Sequence, residues 1–167
     1  MGQGMTTQKS GTFLGPRLRR KPDWVLRLKK ATEAAAARPY RWGTHDCCMG
    51  PCALVRVITG THPAPHLRGY RTARGAALKL ARAARGVPAE RRLEAVAEAI
   101  ARDFNAREVP VARAQRGDLV LIEAETQEGR KDVLAVVDLS GRFVITPARQ
   151  GWGTLPIEQA RRAWRIG

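Results

Sequence analysis

RGDLVLIEAETQEGRKDVLAVVDLSGRFVIT, residues 116–146, is where the chain changes rhythm. Before Val109 apolar side chains recur at every third or fourth position. From here they come in short runs, Asp118–Glu123, Val133–Asp138 and Arg142–Thr146, with a fourth at Ala163–Ile166. Short runs rich in β-branched residues and bounded by turn formers read as strands. Ser140-Gly141, between the second and third, is a tight-turn dipeptide.

Helices are expected upstream. Pro22-Asp23 opens the first, with Asp23 as N-cap and Trp24, Leu28, Ala31 and Ala35 on one face up to Ala37. The second runs over Cys47–Thr59, capped by Asp46 and stopped by Gly60. The third covers Thr72–Arg85. The fourth covers Pro88–Phe104, where Leu93, Val96, Ala97, Ile100 and Phe104 make the clearest amphipathic stripe. Helices first and strands after predict an α+β fold, a helical N-terminal half packed on a small antiparallel sheet. At 167 residues the chain is read as one domain, 22–167. Residues 1–21, basic and without periodicity, read as an arm that is flexible or ordered on a partner.

A composition of 44% hydrophobic and 27% charged residues excludes wholesale disorder. No uncharged run approaches the roughly 18 apolar residues of a membrane span, and the N-terminus lacks the apolar core of a secretory signal. The charge is the unusual quantity: 30 Lys and Arg against 15 Asp and Glu leave +15. Residues 1–22 hold five bases and residues 47–89 hold seven, and neither stretch contains an acid. Arg71, Arg74, Arg82 and Arg85 fall opposite the apolar side of the third helix. With Arg17, Arg19 and Arg20 of the arm they form the candidate binding surface. A basic nucleic-acid-binding accessory is one alternative reading of that helix, although nucleic acid is not the expected partner.

Cys47, Cys48 and Cys52 lie within six positions of one another, and their odd number argues against a disulfide framework. In Arg41-Trp42-Gly43-Thr44-His45-Asp46-Cys47 the last residue stands at a helix start. There, free backbone N–H groups and the positive end of the dipole would stabilise a thiolate and lower its pKa. Cys47 is therefore the candidate nucleophile. A thiol also needs a base within hydrogen-bond reach, and the chain offers only His45, His62 and His66, of which His45 is the nearest in sequence. Cys48, Cys52, His62 and His66 approximate a two-Cys, two-His spacing, but the helix between the pairs holds them apart, so no metal is assigned. Neither GxGxxG nor a Walker pattern occurs, and no cofactor is expected. Trp24, Trp42 and Trp164 read as core aromatics, and Trp152, between glycines, as an exposed loop contact.

Taken in order, WGTHDC at 42–47, ITG at 58–60, RGY at 68–70, RGDLV at 116–120, GRF at 141–143 and AWRIG at 163–167 resemble a family of phage and prophage tail-tip proteins. That family is related to the NlpC-type cell-wall cysteine peptidases, and the resemblance runs from Trp24 to Gly167. It implies a papain-like fold in which Cys47 maps onto the nucleophile and RGDLV onto the first core strand. The histidine general base of such peptidases would fall at Asp132 or Val133, where this sequence has none. The implied function is a structural component of the phage tail tip or baseplate, degenerate as an enzyme and docking on tail hub proteins. It would be made in the host cytoplasm and carried in the virion. The other implied reading is an active cysteine peptidase or amidase that cleaves peptidoglycan during DNA entry, with a base from His45 or a partner chain.

Overall fold

A computed structural model describes residues 16–167, so the arm reading for residues 1–15 lies outside the described residues. Four α-helices come first: α1 Trp24–Ala34, α2 Met49–Thr59, α3 Ala73–Ala83 and α4 Arg92–Asp103. Six strands follow: β1 Glu108–Val109, β2 Leu119–Thr126, β3 Gly129–Val137, β4 Phe143–Pro147, β5 Trp152–Pro156 and β6 Ala160–Trp164. They form one antiparallel sheet in the order β1-β6-β2-β3-β4-β5. The fold is α+β.

Alternation along the strands divides the core in two. Leu119, Leu121, Leu134, Val136, Ile145 and Trp164 face the helices and join Leu28, Val55, Ile58, Val96 and Ile100. Val120, Ile122, Val133, Ala135, Val137 and Val144 face the other way, where Val111, Leu155 and Ile157 cover them. Burial on both faces is why β2 and β3 read as apolar runs rather than as alternating strands. α2 is the central helix, and eight of its eleven residues are buried. A Cβ at its Gly50 would stand 2.3 Å from Pro147 Cγ, so a side chain there would force α2 away from β4.

Several expectations are corrected. Asp23 holds the N-cap position of α1, but its carboxylate accepts from Arg27 Nε at 2.7 Å instead of from a backbone N–H. Trp152 is not on a loop: it opens β5, its ring packs on His45, and its indole N–H donates to the Thr32 carbonyl at 3.1 Å. The arm does not extend to residue 21. Leu18 is 4% exposed in the core, and the Lys21 N–H donates to the Ile58 carbonyl at 2.8 Å. Arg20 is no docking residue. Its guanidinium donates to Asp118 at 2.8 Å and to the Arg116 carbonyl at 2.6 Å, and it stacks 4.3 Å from the centre of the Trp24 ring.

Asp118 explains why the two ends of the domain meet. It is fully buried, forms an ion pair with Arg165 at 3.0 Å, and accepts the Ile166 N–H at 3.0 Å and the Gln115 N–H at 2.8 Å. One carboxylate thus ties the entry segment, the start of β2 and the C-terminus together.

Candidate functional site around Cys47

The loop before α2 is built on Asp46, whose side chain is buried. One carboxylate oxygen accepts from the Cys48 N–H at 2.9 Å and the Met49 N–H at 2.7 Å. The other accepts from the Gly43 N–H at 2.6 Å and the Tyr70 hydroxyl at 2.8 Å. Gly43, at φ +87°, turns the chain there, and a Cβ on it would fall 1.9 Å from the Tyr70 carbonyl oxygen. Asp46 does cap the helix, but regular helix begins at Met49 rather than at Cys47.

This arrangement puts Cys47 in a cleft. Its carbonyl accepts the Leu134 N–H at 3.0 Å, which fastens the residue to the edge of β3. Its half-buried side chain lies between two hollows of about 320 Å³ each. Trp42, Cys47 and Lys131 line both hollows. Ala76, Leu80, Tyr70 and Asp132 line the first, and Tyr40, Val133, Thr146 and Pro147 line the second. The Tyr40 and Trp42 rings meet edge-on at 5.2 Å, and the Lys131 ammonium lies 6.0 Å from the Trp42 ring centre. Together they make a groove that passes on both sides of the thiol.

Burial pushes Cys47 up to about 11 and the neighbouring Asp46 charge adds to this, outweighing the Lys131 ammonium and the Tyr40 hydroxyl that favour the thiolate. The expected lowering at a helix start fails for a local reason: the first free N–H groups are already held by the Asp46 carboxylate. Tyr40, set against Cys47, is itself raised by burial and by the adjacent thiol and Asp46.

No histidine faces Cys47. His45 is 1% exposed, with Nε2 2.9 Å from the Gly151 carbonyl oxygen and the ring edge-on to Trp152 at 4.7 Å. His62 and His66 follow Gly60 at the far end of α2, roughly 16 Å along the helix. The His62 Nδ1 accepts the Ala64 N–H at 3.1 Å. Of the two positions expected for a base on β3, Val133 faces the groove from a buried site. Asp132 lines the first hollow and pairs with Arg161 at 3.2 Å. Cys48 and Cys52 interact with each other inside the core, and that contact together with burial pushes Cys48 well up.

Sequence reasoning missed Tyr40 and Lys131. Both signals were present: an aromatic two residues before Trp42, and a lysine two residues before Val133, hence on the same strand face. Among the binding arginines, Arg71, Arg74, Arg82 and Arg85 are exposed along and beside α3, and Arg17 and Arg19 are exposed in the entry segment.

A family model described as "Domain of unknown function (DUF6950)" matches residues 19–166. No curated protein and no solved structure matches the chain.

Proposed function

The chain belongs to the DUF6950 family, and from its geometry we propose that it is a papain-like module of the NlpC type that keeps the groove without the hydrolysis and serves as a docking component of a phage tail tip. The fold part of this reading is supported by the Asp46-Cys47 pair at the entrance of α2, with β3 of an antiparallel sheet bonded to the Cys47 carbonyl. The tail-tip part is supported by the order of the short motifs between Trp24 and Gly167.

One observation carries the loss of hydrolysis: no histidine faces the thiol, and at the two positions expected for a base the groove presents the apolar Val133 and an Asp132 held by Arg161, with the Lys131 ammonium beside them. An ammonium can attract a thiolate but has no lone pair with which to accept its proton. With Cys47 near 11, roughly one molecule in ten thousand would carry the thiolate at pH 7. A groove lined by Trp42, Tyr40 and Val133 can still hold an extended chain.

The test is the alkylation rate of Cys47 across pH, with mass-spectrometric site assignment, on the full chain alone and mixed with tail hub proteins. Half-maximal reactivity near pH 11 in both states, together with stable association with the hub proteins, is the expected result. A midpoint below pH 8 in either state would turn the reading into that of an active peptidase or amidase acting on peptidoglycan. Absence of association would remove the docking role.

A further inference from the structure

α3 has two unlike faces. Ala73, Ala76, Ala77 and Leu80 line the hollow beside Cys47. On the opposite side Arg74, Leu78 and Arg82 follow at i, i+4 and i+8, and Arg71 and Arg85 extend the row past either end of the helix. At 3.6 residues per turn Arg74, Leu78 and Arg82 project within an arc of about 80°, with Leu78 at its centre, and Arg71 and Arg85 stand just beyond the two ends of the helix. All four arginines are exposed, and Leu78 is 50% exposed, one of four large apolar side chains so placed among the described residues.

None of these arginines has a carboxylate partner among the described residues, and residues 1–15 contain no Asp or Glu that could supply one. The absence of acids from residues 47–89 means that nothing local neutralises the row. Four guanidinium groups around an exposed leucine call for a surface that is acidic at its rim and apolar at its centre. A nucleic-acid backbone would match the arginines but gives the leucine nothing to bury against.

We propose that the outward face of α3 docks an acidic protein surface whose apolar centre receives Leu78. This deepens the docking reading above by naming the chemistry of the partner, and it places that partner on the helix that walls the Cys47 groove.

The test uses the full chain and three probes: a helical peptide of glutamate and leucine with its leucines on one face, the same peptide with serine for leucine, and a 20-base-pair DNA duplex. Expected is binding of the Glu/Leu peptide that weakens about tenfold in L78S, and by a similar factor for the serine peptide. R74S/R82S should weaken it further, and raising salt should weaken all binding. Unchanged melting temperatures would show that the variants fold. The proposal is overturned if the duplex binds as tightly as the peptide and L78S binds both like wild type. It is equally overturned if R74S/R82S leaves peptide binding unchanged. Failure of hub association with this pattern intact would strike the tail-tip reading alone.

Discussion

Arg162 and Arg82 both stand on the flank of the molecule, yet one touches three carboxylates and the other none. Arg162 donates to both oxygens of Glu108, at 2.8 and 2.7 Å, to Glu94 at 3.1 Å and to Glu98. Beside it Arg161 reaches Asp132 and Glu94, and at the domain's closing point Arg20 and Arg165 share Asp118. On α3, by contrast, nothing answers Arg71, Arg74, Arg82 or Arg85. The lesson is that net charge alone does not locate an interaction surface. Part of the arginine is spent inside the fold; among the arginines that no carboxylate answers, four stand along and beside α3, around the exposed Leu78.

The sharpest way to break that contrast is to remove the deepest acid. D118A would leave two guanidinium groups facing each other and strip the Ile166 and Gln115 N–H groups of their acceptor. Two N–H groups left without an acceptor and two partly exposed guanidinium groups left without their counter-charge make the expected loss about 3 kcal/mol, read as a lower urea midpoint with an unchanged slope. A loss below about 1 kcal/mol would mean that this carboxylate does not hold the chain's two ends together.

A smaller effect is expected at Arg162. R162M should cost about 1–2 kcal/mol, because its pairs are partly exposed and Glu94 keeps Arg91 and Arg161. The pH dependence carries a sign. Glu108 is held below the ordinary carboxylate range, chiefly by its hydrogen bonds from Arg162. Glu94 is held low as well, burial pushing it up but the Arg162 and Arg91 hydrogen bonds outweighing that. Groups lowered on folding add stability that is complete above their unfolded pKa of about 4.3 and is lost as pH falls through the folded value. R162M should therefore flatten the acid limb of a stability-against-pH curve, and an unchanged limb would show the network to be inert.

How much of this was legible depended on whether a residue's role was set locally. The change of period after Val109 gave the α+β order, and the Asp46-Cys47 pair with Gly60 bounded the central helix, because caps and periodicity act within a few residues. β5 was missed because Trp152 and Gly153 carry no alternation, and what makes them a strand is pairing with β4, from Pro147↔Trp152 to Phe143↔Pro156. The entry segment reads as arm because its scattered bases show no periodicity. The acid that recruits Arg20 lies 98 residues away. Distance also hid the state of Cys47. A helix start predicts a lowered thiol pKa; the Asp46 cap that takes up the N–H groups is legible one residue away, but the burial of the sulfur, fastened to β3 through the Leu134 N–H, is not visible from spacing.

The smallest effect is expected where the comparison began, on α3. R74S/R82S removes two charges that touch no partner, from a chain carrying +15. Folding stability should then stay within about 0.5 kcal/mol of wild type. Because these arginines repel their neighbours, any shift should favour the variant at low salt and shrink as ionic strength rises, the reverse of R162M, whose loss should be greatest at low salt. Paired denaturation curves at two salt concentrations check both variants at once. If R74S/R82S lost more than about 1 kcal/mol, the row would be stabilising the fold through contacts of its own, as the Arg162 network does. The two regions would then differ in degree only, and a surface kept basic for a partner would lose its physical basis.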